Sequence, residues 1–171
     1  MNKEEYGIVI EFFPFGIPNS GRNKPIAMLL VDDVTDLSLL WAIPKYNVTL
    51  TRGQRVYIGA GKREEIASIV GRADPSVLGE AAMQFLKEKV KEMVINNEKY
   101  FVDILNKLGP INIRLNAFEL IPGIGKKLAE KALEEKNKAP FTSYEDFNKR
   151  TGAPFNIADK LAERILDEFT N

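Results

Sequence analysis

Cysteine and histidine are both missing from this 171-residue chain. Without cysteine the chain forms no disulfide and offers no thiolate nucleophile. Without histidine it lacks the side chain that most often shuttles protons and binds metals near neutral pH. Ser-His-Asp triads and Cys/His zinc sites are therefore excluded. No nucleophile–base pair is visible either, so we expect no catalytic residues, no cofactor and no metal, and we interpret the protein as a non-enzyme.

The chain also lacks net charge, because 24 Lys and Arg residues balance 24 Asp and Glu residues. Strong, nonspecific nucleic-acid binding normally needs a basic surface. Any nucleic-acid contact should therefore have a small footprint, or a larger complex should supply part of the affinity.

Long apolar runs are missing as well. A membrane-spanning helix needs roughly 18 or more consecutive apolar residues, and no run in the chain approaches that length. The opening residues, MNKEEYG, contain no apolar signal region. We therefore expect a cytoplasmic protein with no membrane partner.

The most informative segment that is present spans residues 120–133, LIPGIGKKLAEKAL. Gly123 and Gly125 permit a sharp turn between two apolar-periodic segments, and Gly123 is expected to have a positive φ or a closely approached backbone. A helix should begin directly after the turn, so that its unpaired N–H groups point outward together. Such a helix N-terminus binds anions, and Lys126 and Lys127 add positive charge. A phosphate group is the anion that fits this arrangement best.

This segment resembles the helix-hairpin-helix motif of nucleic-acid-binding proteins. The resemblance rests on the Pro-Gly-Ile-Gly run, the two lysines and the small Ala129 that follows them. In that family the hairpin backbone grips sugar-phosphate without reading bases. A tight turn between two packed helices that binds nothing is the alternative. The predicted nucleic-acid-binding residues are Pro122, Gly123, Ile124, Gly125, Lys126 and Lys127, together with Arg114 and Lys131.

The hairpin sequence occurs twice. Residues 123–135 recur 33 positions later as residues 156–168, with seven of thirteen positions identical, which indicates one supersecondary unit used twice. In the second copy Asn156 replaces the first glycine, Ala158 the second and Asp159 the first lysine. Asn is the next most tolerant residue of a left-handed turn. We interpret the second copy as a degenerate hairpin without the phosphate site. Such pairs resemble the tandem four-helix domain of DNA-repair and competence proteins.

The first part of the chain is predicted to form a small closed β-barrel. Five or six short segments rich in branched and aromatic residues alternate with turn signals. An oligonucleotide-binding (OB-like) barrel is the leading interpretation, and an SH3-like barrel is the alternative. The predicted strands are residues 6–13, 26–31, 37–43, 48–50, 54–58 and 66–70.

The chain from Asp74 onward is predicted to be helical, so the fold class is α+β. Asp74 and Pro75 are an N-cap and a first-turn proline, so a helix is expected to begin there. The first hairpin helix should start near Asn112, and Thr142 or Ser143 should cap a later helix. The predicted domains are residues 1–73 (β-barrel), 74–110 (connecting helices) and 111–171 (tandem helix-hairpin-helix).

A second basic segment, Gly59-Ala-Gly-Lys-Arg63, follows a predicted strand. Two glycines beside two bases suit a phosphate, as in backbone nests, whereas a solvated β-turn is the alternative. Aromatic residues of the barrel half are candidates for base stacking, although most aromatics in a small barrel form its core. The second patch would comprise Arg55, Gly59, Gly61, Lys62, Arg63 and Arg72; the aromatics are Phe12, Phe13, Phe15, Trp41, Tyr46 and Tyr57.

The chain as a whole resembles an uncharacterised, mainly archaeal family of RNA-binding-domain proteins of unknown function. Its members join a small β-barrel to a C-terminal helix-hairpin-helix. The matching blocks lie at residues 6–16, 55–63 and 114–127. The resemblance implies RNA binding, an association with translation and the ribosome, and no known enzyme activity.

We therefore expect a non-enzymatic protein that grips the RNA backbone through the first hairpin, with ribosomal RNA as a candidate partner. A protein-interaction adaptor that uses the helical domain is one alternative. A DNA-binding repair accessory factor is another.

Overall fold

The computed structural model describes residues 5–170. Over this range the fold is α+β, as predicted, with a curled five-stranded antiparallel sheet and five α-helices. The described residues divide into two compact units, one reaching to Glu88 and including Phe169, the other comprising Lys89–Glu168. No helix between residues 5 and 170 is both long and apolar enough to cross a bilayer. The three predicted domains stay a prediction.

The sheet is a half-barrel rather than a closed barrel. Its order is β4-β1-β2-β3-β5 with every pairing antiparallel, so the first four strands have the 4-1-2-3 order of a Greek key. Within the described residues β4 and β5 are the two edges. A three-residue β4 is too short to close the ring that the sequence predicted. The strands are β1 (Tyr6–Phe13), β2 (Ile26–Val31), β3 (Leu39–Pro44), β4 (Arg55–Tyr57) and β5 (Ile66–Arg72).

Segment 48–50, predicted as a strand, is irregular and lies between two turns. The Val48 N–H donates to the Lys45 carbonyl at 3.1 Å, and the Gln54 N–H donates to the Thr51 carbonyl at 2.9 Å. Leu50 still points into the core with 4% exposure. The apolar residues that suggested a strand therefore pack against the core, Val48 partly and Leu50 fully buried, without pairing in the sheet.

Strand β2 is buried along its whole length, as its unbroken apolar sequence IAMLLV indicates. Its alternate residues Ala27, Leu29 and Val31 join a core that also contains Val9 and Val56. Full burial of one such aliphatic side chain is worth about 1.5–3 kcal/mol. The strand therefore anchors both of its neighbours.

The start of the helical half differs from the prediction. Asp74 does act as an N-cap, accepting the Ser76 N–H at 2.8 Å, but it caps a single 3-10 turn, Pro75–Val77. The Leu78 N–H donates back to the Pro75 carbonyl at 3.0 Å and ends that turn. Helix α1 begins only at Glu80 and runs to Asn96.

The second unit packs its helices around an aromatic core. Phe147 is fully buried, with ring centroids 6.2 Å from Phe118 and 4.8 Å from Phe141. Ser143 caps the helix that carries Phe147 by accepting the Asp146 N–H at 2.9 Å, which confirms the predicted cap. The helices are α2 (Glu98–Leu105), α3 (Lys126–Lys138), α4 (Tyr144–Thr151) and α5 (Ile157–Glu168).

Arg150 fastens the end of α3 to α4. Its guanidinium donates to the Glu135 carbonyl, to the Ala139 carbonyl at 2.8 Å and to the Asp146 carboxylate at 3.0 Å. It also lies 4.7 Å from the ring centroid of Phe141. The last carbonyls of a helix have no intrahelical partner, and cations are favourable there. Arg150 therefore supplies, from α4, the C-terminal cap of α3.

The segment before the hairpin turn is not the helix that the sequence predicted. The Asn112 side chain accepts the N–H groups of Arg114 at 2.8 Å and Leu115 at 2.9 Å. These local bonds compete with helical ones. Helical structure is limited to one 3-10 turn, Ala117–Leu120, which Asn116 caps.

Replacing Arg150 tests the clamp. Arg150→Ala should lower the free energy of unfolding by at least about 2 kcal/mol, since bonds to a charged group contribute about 1.5–3 kcal/mol and Arg150 forms several of them at the end of α3. Arg150→Lys should recover part of the loss. Arg164→Ala is the matched control, because Arg164 forms one exposed pair with Glu168, and it should change stability by less than about 0.5 kcal/mol. Equal effects of the two alanine variants in urea unfolding would contradict the clamp.

Asp146 links this clamp to pH. The pKa of Asp146 lies below its ordinary value, first because its carboxylate accepts the Thr142 N–H at 3.0 Å; burial opposes this effect and Arg150 reinforces it. A depressed carboxyl pKa contributes stability above the unfolded-state pKa, about 3.9, and the contribution is lost as pH falls through the folded-state value. Asp146→Asn should therefore flatten the fall in unfolding free energy below about pH 5. An acid limb as steep as that of the parent would contradict this.

Candidate nucleic-acid interface

The predicted hairpin turn is a four-residue turn held by two buried isoleucines. The Ile124 N–H donates to the Ile121 carbonyl at 3.1 Å, and both side chains are 5% exposed. Pro122 and Gly123 occupy the two central positions, and Gly123 has φ +85°, as predicted. Proline followed by glycine with positive φ is the pattern of a type II turn. The turn places Gly125 at the N-cap position of α3.

The N-terminus of α3 is exposed and has no side-chain cap. Gly125 has no side chain, and no residue in the described part of the chain caps its helix in its place. The first N–H groups of α3, including those of Lys126 and Lys127, therefore point away from the helix without an intrahelical acceptor. A methyl group built on Gly125 would meet no neighbouring atom within 4 Å. An anion thus has open access to these donors.

Lys126 and Lys127 are both exposed, and neither ammonium forms an ion pair within residues 5–170. The first turn of α3 contains no acidic residue. Uncapped donors, the positive end of the helix dipole and two uncommitted cations therefore lie together. This arrangement is chemically suited to one phosphate group.

The corresponding end of the second copy is closed. Asn156 accepts the Ala158 N–H at 3.0 Å, and Asn148 accepts the Ile157 N–H at 2.9 Å. Asp159 forms an ion pair with Lys91 at 3.0 Å. The Asn156 carbonyl also accepts the N–H groups of Asp159 at 3.0 Å and Lys160 at 3.4 Å, which correspond to the open N–H groups of Lys126 and Lys127 in the first copy. Helix α5 consequently begins two positions earlier than α3 in the repeat.

The expectation that Asn156 forms a left-handed turn is wrong. Among the described residues other than glycine, positive φ is found at Asn19 and Asn47. The left-handed residue of the second turn is Gly152, at φ +67°, which ends α4. Gly152 therefore supplies the left-handed residue, and the Asn156 side chain caps the start of α5 instead.

Two other predicted contact residues lie on either side of the turn. Arg114 is exposed in the segment that Asn112 organises. Lys131 is on α3 and pairs with Glu135 at 3.4 Å. The pKa of Glu135 lies below its ordinary value, first because Lys138 donates to it and further because of Lys131. Lys131 is therefore partly committed to its own helix, whereas Lys126 is not.

The second predicted patch is mostly engaged in internal contacts. The Arg63 guanidinium donates to the Gly59 carbonyl at 2.9 Å and to the Ile58 carbonyl at 3.1 Å. The Gly61 N–H donates to the Tyr57 hydroxyl at 2.9 Å. These contacts use the groups that a phosphate-binding loop would need, while Lys62 in the same loop is exposed.

The remaining members of that patch lie on opposite edges of the sheet. Arg55 is on β4, where it pairs with Asp32 at 2.9 Å and lies 3.9 Å from the ring centroid of Tyr6. Arg72 is the exposed last residue of β5. No shared strand ladder joins Arg55 and Arg72 within the described sheet.

Comparison with known proteins places the chain in a family. Residues 3–171 match the family model described as protein of unknown function (DUF655). The chain belongs to the DUF655 family. The uncharacterized protein MJ0038 of Methanocaldococcus jannaschii is 36% identical over 166 residues, which cover 96% of this chain and 75% of that protein. The crystal structure of Af1531 from Archaeoglobus fulgidus, also of family model DUF655, is 30% identical with a TM-score of 0.78, covering 98% of this chain and 94% of Af1531.

Sequence reasoning overlooked three features of this DUF655 chain. Ile111 and Ile113, in the segment before the hairpin, are 54% and 104% exposed; a helix prediction for that segment concealed them. Arg150 was overlooked because its carbonyl partners leave no pattern in the sequence. A third candidate, Arg22, lies in a stretch from residue 12 to residue 31 that contains no Asp or Glu, a signal that was available.

The two glycines of the turn are predicted to tolerate valine differently. A side chain at Gly123 needs a positive φ and would come within 3.2 Å of Phe155 and Lys160. Gly125 has φ −88° and ψ −173°, ordinary for a branched residue. Gly123→Val should therefore destabilise the protein by at least about 1 kcal/mol more than Gly125→Val, which loses only helix-cap preference. Equal melting temperatures would refute this description of the turn.

Proposed function

We propose that this DUF655 protein binds RNA without catalysis, holding one or two phosphates at the hairpin turn and the N-terminus of α3. The observation that carries the proposal is the difference between the two copies of the repeat. The second copy caps its helix with Asn148 and Asn156. The first copy has no side-chain cap and leaves open the N–H groups of Lys126 and Lys127, whose counterparts in the second copy bond to the Asn156 carbonyl. An N-terminal cap is usually worth about 0.5–2 kcal/mol, so an uncapped helix favours a role for its free donors.

The finer fold assignment belongs to the same proposal. The 3-10 turn, the hairpin turn and α3 form the first helix-hairpin-helix, with an abbreviated first helix. Helices α4 and α5 with the residues between them form the second, degenerate copy. The Greek-key order of the open half-barrel favours an OB-like assignment over an SH3-like one.

The balanced charge bears on the setting in which RNA would be bound. A net charge of zero gives no long-range attraction to a polyanion. One local phosphate site on a neutral protein therefore suits a place within a larger cytoplasmic assembly, such as the ribosome or its precursors. The resemblance to an RNA-binding family favours RNA over DNA, and a DNA-binding repair factor is the alternative for the same site.

A protein-interaction adaptor is the second candidate, and one observation favours it. Ile111, Ile113 and Leu120 are 54%, 104% and 45% exposed within ten residues of one another. A contiguous group of exposed apolar residues on a protein surface often marks a protein–protein interface. Ile113→Ser with Leu120→Ser should then remove a protein partner and leave RNA affinity unchanged.

Charge reversal at the hairpin tests the proposal. Lys126→Glu with Lys127→Glu should weaken binding to a short RNA duplex and make the slope of log affinity against log salt less steep, by about 0.7–0.9 for each lost phosphate contact. Lys87→Glu with Lys107→Glu carries the same charge change at exposed lysines and is the matched control. Thermal unfolding of both variants should match the parent.

Three results would count against the proposal. Equal affinity and slope in the hairpin variant and the parent would remove the hairpin from the binding surface. An equal loss of RNA affinity in the control variant would show that the effect arises from net charge and not from the hairpin. Tighter binding to a DNA duplex of the same sequence than to the RNA duplex would favour the DNA-binding repair factor over the RNA-binding protein.

A further inference from the structure

The loop between β1 and β2 is a folded lobe with its ends joined. Phe13 and Ile26 pair across the sheet, so the twelve residues between them return to their starting point. Gly16, at φ +90°, crosses so close to Arg22 that a side-chain carbon would lie 2.0 Å from its carbonyl oxygen. The Ser20 hydroxyl donates to the Ile17 carbonyl at 2.6 Å and accepts the Arg22 N–H at 3.1 Å. Compact loops with closed ends are frequently functional.

This loop encloses a pocket against the sheet. The pocket has a volume of about 290 Å³ and is lined by loop residues 21–25 with Ile26 and Ile43. Pro25 and the two isoleucines give it apolar lining, and Arg22, Asn23 and Lys24 add polar groups. Apolar walls with a few polar groups are the usual lining of small-molecule pockets, and this volume is near their lower limit of about 300 Å³. A pocket of this volume can hold one flat ring.

The charge around the pocket has one sign. Arg22 and Lys24 line it, and none of its lining residues is acidic. Neither cation forms an ion pair within the described residues. No Asp or Glu occurs from residue 12 to residue 31, although acids and bases balance over the whole chain. The pocket is therefore complementary to a ring that is joined to a negatively charged group.

Exposed aromatic side chains flank the pocket along the chain. Phe15, in the same loop, is 84% exposed, and Tyr46, three residues after Ile43, is 92% exposed. Aromatic faces beside a basic surface are the means by which proteins hold unpaired nucleotides, with stacking on bases and cations on phosphates.

We propose that this pocket receives an unpaired base of single-stranded RNA, with Arg22 and Lys24 holding the adjoining phosphates. The proposal rests on RNA being the ligand of the hairpin, and it adds a base-contacting site to a backbone-contacting one. The hairpin holds phosphates irrespective of the base, whereas the pocket needs a base to fill it.

Trp41 supplies the readout. It is the only tryptophan of the chain, lies two residues before Ile43, and its ring centroid is 6.0 Å from that of Phe13, beside the end of the loop. The full chain is titrated with a twelve-nucleotide oligouridylate and with an abasic ribose-phosphate strand of equal length, following Trp41 fluorescence and the anisotropy of a label on the RNA. The parent should bind the oligouridylate at least about fivefold more tightly, the lower end of the contribution of one stacked base.

Two variants separate the pocket from the hairpin. Ile43→Gln replaces a half-exposed pocket wall and should abolish both the preference for bases and the Trp41 response, with abasic affinity unchanged. Lys126→Glu with Lys127→Glu should weaken both strands equally and keep the preference. Arg22→Glu with Lys24→Glu, confined to a surface loop, should weaken oligouridylate binding at least about tenfold; the Lys87 and Lys107 control should change it less than twofold.

Each outcome is decisive. A parent without base preference, or an Ile43→Gln variant that folds and keeps it, overturns the pocket and leaves the hairpin proposal standing. If a twelve-residue polyglutamate displaces the labelled oligouridylate as well as unlabelled oligouridylate does, the pocket binds an acidic peptide and the proposal of a base-binding pocket is overturned. A parent that binds neither single strand overturns the pocket, and one that also fails to bind the short RNA duplex overturns the proposed function itself.

Discussion

The geometry of the second unit depends on the guanidinium of Arg150. A helix ends in carbonyl groups that its own backbone cannot fully satisfy, and at the end of α3 a cation from α4, rather than a glycine cap, bonds to the carbonyls of Glu135 and Ala139. Because the same guanidinium also bonds to Asp146, the end of one helix is tied to the start of the next. Fixing the C-terminal end of α3 also fixes the direction of its N-terminal end. The open donors beside Gly125 are thereby held in place from the far end of their helix.

The two hairpins show how little sequence change separates a binding site from a structural cap. They share their helix sequence and differ at the turn, where one has glycine and the other asparagine. Glycine leaves backbone donors to the solvent; asparagine uses them itself. The capped N-terminus in the second copy favours stability, and the open N-terminus in the first copy favours ligand access. The same helix N-terminus therefore occurs in both forms within one chain.

The sequence predicted features set by neighbouring residues and not those set by distant ones. Strands β1 and β2, the Ser143 cap and the positive φ of Gly123 were all confirmed, because propensity and turn chemistry determine them locally. The helix expected from Asn112 was wrong, since a side-chain oxygen took the N–H groups that a helix requires. The loop pocket had no signature beyond its missing acids, because it depends on Gly16 meeting Arg22 in space. The nucleic-acid contacts themselves stay predictions.

An open half-barrel has two edges, and in the described part of the chain each is protected from other chains in its own way. Strand β4 has three residues and carries Arg55, too short and too charged to template a neighbour. Strand β5 is longer, but two irregularities interrupt its pairing with β3, and Gly71 at φ +149° bends its end. Flat, uninterrupted edges recruit strands from other molecules and lead to aggregation. The bulges that distort this sheet thus also make its longer edge a poor template for a strand from another molecule.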